Sequence, residues 1–299
     1  MHKTKVDFSS LAAGRRFVQA IVFAAALFAA SGAAAQNSPA SSGARNGIAL
    51  SPARVELEMS PGTETTLVLN LDYQTSDPKK APSRIVAGLN DWDISPDGQI
   101  NFYKSGTLPF SAGGWLTFTP AETVVAPNRL HSIRVTVAVP ASAAPGDYLT
   151  ALVIEQRPDN LKLNSNARTI TIRYRMAAVF YIKIPKLEKR GSLVNLNASE
   201  LAAGISIVPT LKNEGNTALR PAASVNIVDS EGRTVAEMPE KESLPILRVK
   251  ELRQPLLIEK KLPAGTYTVK YRVDFNDGRG AIQGQTKLIV KETEKGTYE

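Results

Sequence analysis

The chain has 299 residues, a formal charge of +8, 43% hydrophobic and 21% charged residues, no cysteine and two histidines. That apolar fraction suffices for one large core or two ordinary ones. The missing cysteine excludes disulfides, thiolate-metal sites and a cysteine nucleophile. His2 lies in a segment expected to be removed, which leaves His131 alone and excludes chemistry that needs a histidine pair.

Residues 1–35 have the layout of a secretory signal. Lys3, Lys5, Arg15 and Arg16 form a positive stretch, Phe17 to Phe28 is an apolar run, and Ala33-Ala34-Ala35 supplies small residues for cleavage. The run is short for a membrane span, so the reading is a Sec-type signal and a periplasmic protein, with the cell surface as the alternative. Arg15-Arg16 suggests a twin-arginine signal, but the residues after it fit poorly and no cofactor motif calls for folded export. Removal takes away four basic residues and one acidic residue. The remaining positive balance is mild, and no motif supports nucleic-acid binding. No later segment is long and apolar enough for a membrane span, and nothing in the sequence sets the oligomeric state.

Residues 36–46 are small and polar and are read as a flexible leader. From Ile48 the apolar period is two. Val55, Leu57 and Met59 alternate with Arg54, Glu56 and Glu58; Leu67, Leu69 and Leu71 follow; Ile133, Val135, Val137 and Val139 alternate most cleanly. Turn residues recur between these runs at Pro61-Gly62, Pro96-Asp97-Gly98, Gly113-Gly114, Pro127-Asn128 and Pro145-Gly146. Tyr148 to Gln156 reads as a strand, Arg157 to Ala167 as a polar loop and Arg168 to Pro185 as a long last strand. Charge and glycine in residues 186–191 mark a hinge. A second strand series runs through Ile205/Ile207, Val225/Ile227, Leu256/Ile258, Val269 to Phe275 and Lys287 to Val290, with a hairpin at Asp277-Gly278. The pattern predicts an all-β protein made of two tandem immunoglobulin-like sandwiches, residues 47–185 and 192–291, followed by a charged tail at 292–299. Pro145-Gly146-Asp147-Tyr148 and Pro263-Ala264-Gly265-Thr266-Tyr267 occupy matching places, as expected of a tyrosine at a strand corner in each sandwich.

Chemistry-bearing candidates are few. Asp91, Asp93 and Asp97 do not make a calcium loop, because the sixth and twelfth places hold Pro96 and Phe102; a solvated strand end is the expectation. Asp274 to Gly278 fails likewise. His131 opens a strand with no serine elbow to serve and is expected on the surface. With no acid–base carboxylate pair, phosphate loop or metal quartet, the chain is expected to be no enzyme and to use no cofactor and no metal. In the last strand of the first sandwich, period two puts Arg173 and Arg175 on one face and Ile170, Ile172, Tyr174 and Met176 on the other. Such a strand can pair with an added strand from a protein partner, or it can be an ordinary strand with one wet face.

The run Gly47-Ile48-Ala49-Leu50-Ser51-Pro52-Ala53-Arg54-Val55-Glu56-Leu57, the strand at Trp92, Phe118-Thr119-Pro120 through Ile133-Arg134-Val135, and Gly146-Asp147-Tyr148 through Arg157-Pro158 followed by a strand ending in Phe180-Tyr181 together resemble the N-terminal sandwich of the PapD-like periplasmic pilus chaperones. The resemblance implies a non-catalytic chaperone that binds envelope or pilus subunits by β-strand addition. It implies Arg54 as a carboxylate anchor, and Ile170, Ile172, Tyr174 and Met176 as the donated row. Counted back from Phe180-Tyr181, the family's lysine position holds Ala178, and the nearest bases are Arg175 and Lys183. Trp115-Leu116-Thr117-Phe118 through Val139-Pro140 is also similar to surface modules such as the WxL-interacting proteins. This implies, as the alternative, a structural or adhesive envelope module that binds cell-wall polymer or a surface protein.

Overall fold

The computed structural model describes residues 47–77, 79–157 and 174–291. The expected signal, leader and charged tail, together with Ile170, Ile172 and Arg173, lie outside the described residues.

The described chain is all β apart from a short 3-10 turn at Gly113–Trp115, and its strands form two sandwiches. The first contains β1 (Gly47–Ser51), β2 (Arg54–Glu58), β3 (Glu64–Gln74), β4 (Ser83–Ile94) and β5 (Ile100–Lys104). It continues through β6 (Leu116–Thr119), β7 (Glu122–Val125), β8 (Leu130–Ala138), β9 (Gly146–Arg157) and β10 (Arg175–Ile184). One sheet has the order β1-β3-β8-β6; the facing sheet runs β2-β10-β9-β4-β5, with β7 also on β4. The first strand of the chain therefore changes sheets at Pro52-Ala53: β1 pairs antiparallel with β3, and β2 pairs parallel with β10.

The alternating residues close the core between these sheets. Leu69, Leu71, Ile133, Val135 and Val137 from one sheet meet Ile85, Leu152, Ile154, Phe180 and Ile182 from the other, all but sealed from solvent. The turn residues take the left-handed backbone that their chemistry allows, Gly62 at φ 78° and Asn128 at φ 55°.

The second sandwich contains β11 (Gly191–Leu201), β12 (Gly204–Asn213), β13 (Ala222–Val228), β14 (Thr234–Glu242) and β15 (Glu251–Leu252). It ends with β16 (Leu256–Ile258), β17 (Gly265–Asp274) and β18 (Ile282–Val290). The sheet β11-β12-β15, with β16 on β12, faces β14-β13-β17-β18 around Ile207, Val225, Ile227, Val269 and Phe275. Here the corner tyrosine behaves as expected: the Tyr267 hydroxyl donates to the Pro263 carbonyl at 2.9 Å. Its counterpart Tyr148 does something else. Its ring lies against Trp115, centroids 4.3 Å apart, and edge-on to Phe110.

The sheet holding β9 and β10 is apolar on both faces. The face turned away from the first core carries Trp92, Ile94, Ala151, Val153 and Tyr181, and Leu247 of the second sandwich packs on it. A strand covered on both sides reads as a nearly continuous hydrophobic run, as Leu149 to Ile154 does.

Candidate functional site: an open strand edge beside an interdomain cleft

Two neighbouring features define the site, and the sheet change at Pro52-Ala53 creates both. The first is an open edge. On one side β10 is paired with β9 over its whole length, Arg175 to Ile184. On the other side β2 covers it only from Val179 to Lys183. Among the described residues no strand pairs with that side over Arg175 to Ala178.

The parity of this edge follows from two hydrogen bonds. Gln156 N–H donates to the Tyr174 carbonyl at 2.9 Å, so residue 174 points its backbone at β9. Val179 N–H donates to the Ala53 carbonyl at 2.9 Å, so residue 179 points outward. With a period of two, the N–H and C=O groups of Arg175 and Ala177 lie on the open side. The even residues Tyr174 and Met176 are half-buried against the first core, whereas Arg175 is exposed, its guanidinium 5.9 Å from the Phe102 ring centre. The face division expected for this strand therefore holds for the part described.

The second feature is a cluster of cations around one carboxylate in the cleft. Arg54 stands opposite Val179, and Lys183 lies farther along the same face. Glu56 accepts from Lys183 Nζ at 2.6 Å and from Arg220 Nη2 at 3.1 Å, and Arg54 Nε is 3.3 Å away. Arg220 comes from the second sandwich, lies over the Tyr181 ring at 5.6 Å and is 3.9 Å from Glu242. Burial pulls the Glu56 carboxyl upward, but the Lys183 hydrogen bond and the charges of Lys183, Arg220 and Arg54 outweigh it and hold the group below its ordinary value. Arg54, its side chain 56% exposed, faces this internal carboxylate from the rim of the cleft. Ala178 is fully buried on the opposite, core-facing side of β10, so the base reaching the cleft from this strand is Lys183.

Asp147 holds the cleft's other wall. It is 1% exposed, accepts from Thr217 Oγ1 at 2.8 Å and from Ala218 N–H at 2.6 Å, and its own N–H donates to the Asn216 carbonyl. Burial pushes its carboxyl above the ordinary value, against the opposing pull of those hydrogen bonds. The loop it grips is shaped by the buried Asn213, whose amide donates to Thr217 and Ile246 carbonyls. Sequence reasoning missed Glu56, Arg220 and Asp147 as site residues. Only Asp147 gave a signal, an acid wedged between Gly146 and an aromatic strand; Glu56 and Arg220 are 164 positions apart.

Two expectations about other polar residues need correction. Asp91 is not solvated: it is 1% exposed and accepts from the backbone of Thr107 and Leu108 and from the Ser111 hydroxyl, pinning the 107–111 loop. His131 is half-buried, and its Nε2 accepts from Ala126 N–H at 3.1 Å, closing a turn. Among the described residues no group of acids and histidines is arranged to hold a metal, and no helix is long and apolar enough to cross a membrane.

A pair of β-sandwiches with an open edge strand beside a charged cleft is the class that the fold and site define. No family model matches the chain, and no curated protein matches its sequence. Among solved structures the fold is similar to that of the class 5 fimbriae chaperone CfaA, with 15% identity, 80% of this chain and 99% of that one covered, and a TM-score of 0.42. It is also similar to a chain of the CsuC–CsuE chaperone-tip adhesion subunit pre-assembly complex from archaic chaperone-usher Csu pili of Acinetobacter baumannii (10% identity, 81% and 98% covered, TM-score 0.41). A third is from the Salmonella enterica SafA pilin in complex with the SafB chaperone (12% identity, 82% and 97% covered, TM-score 0.39).

Proposed function

We propose that this protein is a non-catalytic chaperone of the bacterial periplasm, exported by residues 1–35, that captures an extended segment of a pilus-type or other envelope subunit by β-strand addition. The observation that carries this reading is the open edge of β10 over Arg175 to Ala178. Unpaired backbone groups at a sheet edge are a template for another strand. Tyr174 and Met176 supply the apolar row next to it, and Ile172 and Ile170 continue that row in the sequence. Arg175 gives the opposite face its charge, and Arg173 continues that pattern in the sequence. Arg54, with Lys183 and Arg220, offers charge-assisted hydrogen bonds to an acidic group of the captured segment. Residues 47–185 and 192–291 act in this reading as two domains about a hinge at 186–191.

The test removes a donor without removing a native bond. Ala177 N–H lies on the open side, so Ala177→Pro costs no ladder bond and is tolerated on an edge. The wild-type protein is expected to capture a defined subunit from a periplasmic extract, with the Arg175 and Ala177 amides protected from hydrogen exchange in the complex. Ala177→Pro is expected to lose that capture while unfolding at the wild-type temperature. Equal capture by both proteins, or unprotected amides in the complex, would defeat the reading.

A further inference from the structure

On the other side of the cleft from Arg54, a cavity of 370 Å³ opens between the two sandwiches. Its walls are mainly apolar: Trp92 and Leu149 from the two-faced sheet, Phe110 from the loop that Asp91 pins, and Leu247 from the second sandwich. That volume lies within the range of small-ligand sites, roughly 300–1,000 Å³.

The polar groups around it are unequally satisfied. The carboxylate of Asp91 is engaged by Thr107, Leu108 and Ser111, that of Asp147 by Thr217 and Ala218, and that of Asp93 by Lys250 Nζ at 3.1 Å. Arg248 also lines the cavity and has no acid partner among the described residues. Its guanidinium carbon lies 3.5 Å from the Phe110 ring centre, its Nη1 donates to the Asp147 carbonyl at 3.3 Å, and its Nε is sealed from solvent without an acceptor. A half-buried guanidinium without an acid partner can offer its outer N–H groups to an anion in the cavity by charge-assisted hydrogen bonds.

The backbone is strained on both sides of the opening. Phe110 has φ 62° and Val249 φ 58°, the left-handed region, where a β-branched residue is an outlier. Strain of this kind gathers at ligand clamps, where the surrounding structure holds it in place. The two strained residues come from different sandwiches and flank the same cavity.

We infer that this cavity is a binding site for a small amphiphilic anion, a flat apolar body carrying one carboxylate. The body lies against Leu108, Phe110 and Leu149, with the nearly sealed Trp92 and Leu247 as the floor, and the carboxylate accepts from Arg248. The site is separate from the open edge of β10 and does not depend on strand addition.

The probe is 1-naphthoate, titrated into the purified protein by calorimetry, with the neutral 1-naphthalenemethanol as its uncharged counterpart. One saturable site is expected, with the alcohol bound at least tenfold more weakly. Arg248→Met, which keeps an apolar stem over Phe110, is expected to lower naphthoate affinity at least tenfold and to remove the difference between the two probes. Leu149→Trp, which fills the cavity, is expected to abolish binding of both. Absence of saturable binding, equal binding of the two probes to the wild type, or an unaltered affinity in Arg248→Met would overturn the inference. Should Arg248→Met fail to fold, the comparison of acid and alcohol on the wild type decides alone.

Discussion

Among the described residues Tyr271 is the largest of the fully buried side chains, 1% exposed in the second core, and its hydroxyl has no hydrogen-bond partner there. Burial alone drives its ionisation far up, so the group is a neutral, desolvated hydroxyl at any ordinary pH. An unsatisfied buried polar atom costs about 1–3 kcal/mol. Tyr271→Phe is therefore expected to stabilise the protein by about 1 kcal/mol, read as a higher midpoint in urea unfolding with an unchanged slope. A loss of stability would mean that the hydroxyl has a partner in solution. The contrast with Tyr267, whose hydroxyl closes a corner on Pro263, shows what the sequence could reveal. Both tyrosines lie on β17, and period two puts both on the core face. Only the Gly-x-Tyr spacing marks Tyr267 as having backbone nearby to bond.

At the scale of elements, the turn into β9 is a tight joint between the two sandwiches. Gly146 has φ 122°, and a Cβ there would lie 2.7 Å from the Asn216 carbonyl oxygen and 2.9 Å from Arg248 Nη1. The first obstacle is backbone and cannot swing aside. Gly146→Ala is expected to cost about 2–3 kcal/mol, combining strain at a glycine-only conformation with overpacking. The loss should appear in unfolding and as faster exchange of the Asp147 and Ala218 amides; unchanged exchange there would show that the joint tolerates the methyl group. The strands themselves were plain in the sequence, because alternation over Ile133 to Val139 or Val269 to Phe275 is a local property. The sheet to which each strand belongs was not. Nothing local tells that Gly47 to Ser51 pairs with β3 while Arg54 to Glu58 pairs with β10. The cations at Glu56 could not be assembled from spacing for the same reason.

For the molecule as a whole, the question is whether two sandwiches behave as one. Leu247 is 3% exposed and packs on the Trp92–Tyr181 pair, whose rings meet edge-on at 5.3 Å. Beside it, Asp147 grips the 216–218 loop, and Arg220 reaches Glu56. An apolar contact reinforced by buried polar bonds couples the two cores, so a single calorimetric transition is expected. Leu247→Ala removes the central plug, at a cost of about 3 kcal/mol for a buried leucine. It is expected to split the transition into two, the lower one reporting the sandwich that loses its support. One sharp transition at the wild-type temperature would show that the cores are coupled by other contacts. Without cysteine, neither transition should respond to a reductant.

The division of the first strand between two sheets also works as a stop. An added strand on the edge of β10 lies in line with β2 and can run no farther than Ala178, because from Val179 onward that place is filled. Its terminus or its bend then falls beside Arg54, opposite Val179. In the proposed complex this chain, and not the guest, would set where that end of the ladder stops. A segment captured as proposed would meet this stop at the point where β2 begins.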